Sequence, residues 1–71
     1  MNELEILADW LDSQSFMKWW EHDDWVKGKL KEGPILTKFC IASTKGQALA
    51  YDNTLRKVKR MIEEKRRREN D

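Results

Sequence analysis

This chain has a single cysteine, a single histidine, a single proline and three glycines among its 71 residues. Each scarcity removes a class of protein. With Cys40 alone, no disulfide forms within the chain and no four-cysteine zinc site exists, and a lone thiol fits a reducing compartment. His22 stands beside Glu21, Asp23 and Asp24, but neighbouring residues point in different directions and there is no second histidine or HxxxH spacing. A hydrated acidic turn is the simpler reading of that cluster, and no metal ligand set is assigned. There is no Gly-rich phosphate loop, no G-x-S-x-G and no triad in workable order. Only co-occurrence would join Cys40 to His22 as nucleophile and base, and a structural cysteine is the common case. The expectation is that this is not an enzyme and has no cofactor or small-molecule substrate.

Long apolar runs are also missing. None approaches the roughly 20 residues a membrane span needs. The start, Met1-Asn2-Glu3-Leu4-Glu5, is acidic where a signal peptide is basic. The expected location is cytoplasmic. Seventy-one residues allow one domain, and a core of this size supplies only about 3–5 kcal/mol. Without disulfides or metal, oligomerisation or docking on a larger partner is the remaining reinforcement.

What is abundant is charge and tryptophan. The chain is 38% charged, with a net charge of +1. Residues 1–33 hold eight acids and four bases, net −4, and residues 34–71 hold ten bases and five acids, net +5. Trp10, Trp19, Trp20 and Trp25 all lie in the acidic half. Four indoles exceed what a small core hides, and Trp19, Trp20 and Trp25 are candidate anchors for a protein partner.

The spacing predicts an all-α fold, a small bundle of three to four helices. Leu4, Leu7 and Leu11 mark a short first helix over residues 3–11, and Asp12-Ser13-Gln14-Ser15 breaks it, with a serine capping the next helix. Phe16, Trp19, Val26 and Leu30 mark that second helix over residues 16–31, weakened by Gly28. Glu21 to Asp24 would be a bend or loop in the alternative. Gly33-Pro34 punctuates the chain, glycine suiting a helix C′ position and proline a first turn. A short third helix runs from Pro34 to about Ala42, turning Ile35, Leu36, Phe39 and Cys40 inward, and a strand over 35–41 is its rival. Ser43 to Gln47 is a turn, with Thr44 and Gln47 in capping-box spacing.

The last helix carries the clearest pattern. Ala48, Tyr51, Leu55, Val58 and Ile62 fall at strict 3-4-3-4 spacing, the stripe of a helix packed on another. Tyr51, Leu55, Val58 and Ile62 are therefore candidate partner-binding residues, in self-association or on a larger assembly. Beside them, eight of the thirteen residues from Arg56 to Arg68 are basic: Arg56, Lys57, Lys59, Arg60, Lys65, Arg66, Arg67 and Arg68. They would contact a nucleic-acid backbone in the alternative function, although a near-neutral chain lacks the charge usual for that class. A solvated face, with Glu63 and Glu64 pairing to Arg67 and Arg68, is the simpler account of them. Ala42 to Gly46 has roughly the shape of a helix-turn-helix turn, but the signal is weak because the basic residues lie in the second half of the last helix and not in Gln47 to Ala50. The domain is expected over 1–64, with 65–71 a basic, frayed tail.

Trp10-Leu11-Asp12-Ser13 leading to Phe16 and Trp19, and Gly46-Gln47-Ala48-Leu49-Ala50-Tyr51 leading to Leu55 through Ile62, resemble small helical proteins that tailed bacteriophages encode among their head and connector genes. The resemblance spans Trp10 to Glu64. It implies an accessory or virion-associated protein, or a host-directed inhibitor, acting through protein contacts in the host cytoplasm or the virion. It transfers no catalytic residues.

Overall fold

The computed structural model describes residues 2–70 and contains two helices, α1 (Glu3–Val26) and α2 (Pro34–Asn70), joined by residues 27–33. Helix is the sole regular secondary structure among these residues. The three- to four-helix bundle is corrected to a single antiparallel helical hairpin. Met1 and Asp71, which end the expected acidic start and basic tail, lie outside the described residues. The molecule measures 57 × 17 × 15 Å. A helix of 37 residues is about 55 Å long, so α2 sets the length.

Two expected breaks do not occur, and the reason is the same in both. Along α1, the residues turned toward α2 are Leu4, Ala8, Leu11, Ser15, Lys18, His22 and Trp25, all buried or half-buried. Along α2 they are Thr37, Ile41, Thr44, Ala48, Tyr51, Leu55, Val58 and Ile62, again all buried or half-buried. Both series alternate three and four, so each helix carries an unbroken heptad seam and the pair is a short coiled coil. Ser15 and Thr44, which read as turn formers, occupy core positions of these seams. Their hydroxyls are satisfied without breaking the helix. Ser15 Oγ donates to Asp52 of the other helix, and Thr44 Oγ1 donates back to the Cys40 carbonyl at 2.7 Å.

Local chemistry fixes the ends. Asn2 caps α1, its Oδ1 accepting from Glu5 N–H at 2.9 Å, with Glu3 and Glu5 at the positive end of the helix dipole. α1 stops at Val26, five residues short of the expected Lys31, because Gly28 closes it. Gly28 has φ +79°, its N–H reaches the Trp25 carbonyl at 3.2 Å, and Lys29 N–H reaches the Asp24 carbonyl at 2.9 Å. These two bonds form a Schellman cap, which favours glycine at that position. The helix runs through Glu21 to Asp24 without a bend. Pro34 opens α2 as expected, with the Gly33 carbonyl accepting from Thr37 N–H at 2.9 Å. Residues 35–41 are helix.

The apolar core is small and lies mainly in the half near the termini, with Ala48 buried on the loop side of Ser15. Ala8, Leu11, Leu55 and Val58 form it, with Leu4, Tyr51 and Ile62 packed against them. No large side chain is fully buried among the described residues. Trp10 covers the flank by standing edge-on to Tyr51, with centroids 5.9 Å apart at 82°. Toward the loop the seam turns polar, through Ser15, Lys18, His22 and Thr44.

Candidate interaction surface

The polar half of the seam is held by two cross-helix clusters. Asp52 accepts from Ser15 Oγ and, at its other oxygen, from Trp19 Nε1 at 2.9 Å. The Ser15 hydrogen bond, then that of Trp19, holds the Asp52 carboxyl below the usual carboxylate range. Further toward the loop, His22 Nδ1 lies 2.9 Å from the Ile41 carbonyl and 3.1 Å from Thr44 Oγ1. A carbonyl only accepts, so Nδ1 carries a proton and Nε2 is left free in the neutral ring. The Trp19 indole stands edge-on to His22, centroids 5.7 Å apart. Trp25 Nε1 is buried without a hydrogen-bond partner.

The outside of this half carries large apolar side chains among its charges. On α1, Phe16, Met17, Trp20 and Val26 are exposed, and Phe16 and Trp20 pack edge-to-face with centroids at 5.5 Å. On the loop and α2, Leu30, Ile35, Leu36 and Phe39 are exposed, Ile35 to 86% and Phe39 to 65%. The inward placement expected for Ile35, Leu36 and Phe39 is therefore corrected. Thr37 and Ile41 take the inner positions, since only they continue the heptad that ends at Ile62. Phe16, Val26 and Leu30, read as a core stripe, also face out.

The exposed residues are ordered. On α2, Ile35, Phe39, Ala42, Gly46 and Leu49 repeat at 4-3-4-3 spacing, and all five are exposed. On α1, Ile6, Trp10, Ser13, Met17 and Trp20 repeat at the same spacing, and the four large ones are exposed. Each helix thus has a second seam outside the hairpin's inner contact, although Trp10 also reaches Tyr51 of α2. At Gly46 an added Cβ would meet nothing within 4 Å, so this hairpin does not itself require the glycine. The reading from sequence missed both outer seams, although their spacing is as regular as that of the stripe it followed.

Of the expected partner-binding residues, Leu55 and Val58 are buried in the hairpin's own core, and Tyr51 and Ile62 are half-buried against it. Trp19 and Trp25 are half-buried beside α2, and Trp20 is 59% exposed. Trp20 is the anchor candidate that remains open to a partner. The basic residues Arg56, Lys57, Lys59, Arg60, Lys65, Arg66, Arg67 and Arg68 are exposed along α2 at the opposite end, 65–70 being helical. Arg66 lies 3.9 Å from Glu5 across the hairpin and Arg67 lies 3.0 Å from Glu63. At 100° per residue the eight spread around the helix and share no single face. Among the described residues, no three His, Cys, Asp or Glu side chains gather to hold a metal ion. No helix is long and apolar enough to cross a membrane.

No family model matches the chain, and no curated protein or solved structure matches it.

Proposed function

We propose that this chain is a non-enzymatic protein–protein interaction module whose contact surface is the apolar belt around the loop half of the hairpin. The observation that carries this reading is the inversion of polarity along the long axis. Near the termini the seam is apolar, and the outside mixes most of the chain's basic residues with Ile6, Leu7, Trp10 and Met61. Near the loop the seam holds Ser15, His22 and Thr44 while Trp20, Ile35 and Phe39 face outward. A helix that shows large apolar residues on a second face is ordinarily covered on more than one side. Large aromatic and aliphatic side chains grouped in one region are the usual substance of a binding hot spot. The bacteriophage origin rests on the resemblance of residues 10–64, and on that reading the partner belongs to a virion or to the host.

The test is affinity capture from lysate with wild type and with Trp20→Ala/Phe39→Ala, quantified by mass spectrometry, after circular dichroism has established equal helicity. The reading expects specific partners retained by wild type and lost by the variant. Equal capture by both removes the belt as the contact surface. The alternative, nucleic-acid binding through the basic residues of α2, is addressed by titrating a short DNA duplex at low and moderate salt. Binding that weakens steeply with salt and is lost on substituting Arg56 and Arg60 supports it.

A further inference from the structure

We infer that the partner covering the belt is a second copy of this chain, with the outer seam of α1 in one copy docked on the outer seam of α2 in the next. The inference rests on the interaction reading and names its partner. Area comes first. The hairpin exposes 5739 Å². A compact monomer of its mass exposes about 4,700 Å². The excess, about 1,000 Å², is comparable to the share one partner contributes to a standard stable interface, about 800 Å².

Charge then selects which seam meets which. α1 holds seven acids and one lysine, net −6, and α2 ten bases and four acids, net +6. Among the described residues only Arg66–Glu5 joins the two helices as an ion pair. Glu3, Asp9 and Glu21 flank the outer seam of α1 at 100° per residue, and Asp24 continues it. Between Pro34 and Ala50 the only charges are Lys38 and Lys45, both flanking the outer seam of α2. Pairing like with like would set carboxylates against carboxylates and lysines against lysines. Pairing α1 with α2 sets opposite charges together, as the e and g positions of coiled coils do.

Shape agrees. Ser15 faces Asp52 and His22 faces Thr44 across the hairpin, so Trp20 stands at the height of Gly46 and Met17 at that of Leu49. A copy placed alongside at the same height brings the largest exposed side chain of α1 to the position where α2 has none. The two outer seams lie on opposite sides of the hairpin. Such a heterologous contact does not close on two copies, and it propagates to a ring or an array.

The experiment is sedimentation equilibrium of the whole chain from about 1 µM to about 1 mM, the window in which weak to moderate association becomes visible. Two variants each break one seam: Met17→Lys/Trp20→Lys on α1 and Phe39→Glu/Leu49→Glu on α2. Wild type is expected to grow in mass beyond a dimer with concentration. Each variant alone is expected at 8.5 kDa with wild-type helicity. Their equimolar mixture is expected to stop at a dimer, because each supplies the seam the other lacks. If a double variant loses helicity, Trp20→Gln and Phe39→Gln replace it and weaken association at least about tenfold. A wild type that stays monomeric overturns the inference and leaves the belt to a different protein. A variant that still dimerises alone, or a mixture that stays monomeric, overturns the heterologous pairing. The broader interaction reading fails separately, on equal capture by wild type and Trp20→Ala/Phe39→Ala.

Discussion

Replacing Asp52 by alanine removes the single acceptor that serves two donors from the other helix. Ser15 is buried at 5% exposure, and its hydroxyl then loses its partner in the seam. Trp19 Nε1 loses its 2.9 Å bond but stays half-buried, where water substitutes in part. A hydrogen bond to a charged acceptor is worth about 1.5–3 kcal/mol, and a half-exposed one less, so Asp52→Ala is expected to cost about 2–3 kcal/mol. A core of this size supplies about 3–5 kcal/mol, so the variant loses about half its stability. The assay is urea and thermal unfolding followed by circular dichroism, with Ser15→Ala and the double variant completing a cycle. A coupling of about 1 kcal/mol between positions 15 and 52 is expected. The pH dependence gives a second reading. The Asp52 carboxyl titrates lower in the folded chain than in the unfolded one, chiefly through Ser15 and then Trp19. The stabilisation is therefore fully present above the unfolded value, about 3.9, and is lost as pH falls through the lower folded value. Asp52→Asn flattens that acid limb. A cost under about 0.5 kcal/mol, the scatter of ordinary surface substitutions, with no coupling to Ser15, would refute the role assigned to this carboxylate.

Other outcomes follow from the same geometry. Gly46→Ala adds a methyl group in open space within a helix and is expected to stabilise the chain by about 1 kcal/mol, read as a melting-temperature rise of about 4–8 °C at a concentration where the chain is monomeric. Trp25→Phe removes a buried N–H that has no acceptor and is expected to be neutral or stabilising, within about 1 kcal/mol, by urea denaturation. Leu55→Ala hollows the middle of the apolar cluster and is expected to cost about 2–5 kcal/mol, enough to abolish cooperative melting.

The helical class, the Gly33-Pro34 junction and the Ala48–Ile62 stripe were legible in the sequence because each rests on a local rule. The number of helices was not. Asp12-Ser13-Gln14-Ser15 and Ser43-Thr44 have the composition of turns, and turn chemistry competes with helix for the same backbone groups. The competition was decided by a partner 37 residues away, since Asp52 takes the Ser15 hydroxyl, and that pairing has no local signature. The inner and outer faces of residues 35–39 were confused for a related reason. Ile35 and Phe39 are more apolar than Thr37 and Thr44, so hydrophobicity alone turns the wrong face inward. Only the phase of the heptad running back from Ile62 places the threonines inside. Gly28 was read as a weak point in a longer helix, and its positive φ and two capping bonds make it the end of that helix.

The polarity inversion is tested most directly by amide hydrogen exchange at low and high protein concentration. The account predicts that in dilute solution protection is strongest around Leu11, Leu55 and Val58. At high concentration it predicts added protection over residues 16–20 and 35–49, with residues 63–70 unchanged. Protection that does not depend on concentration, or a gain confined to the charged end, would contradict the claim that the loop half is built to be covered.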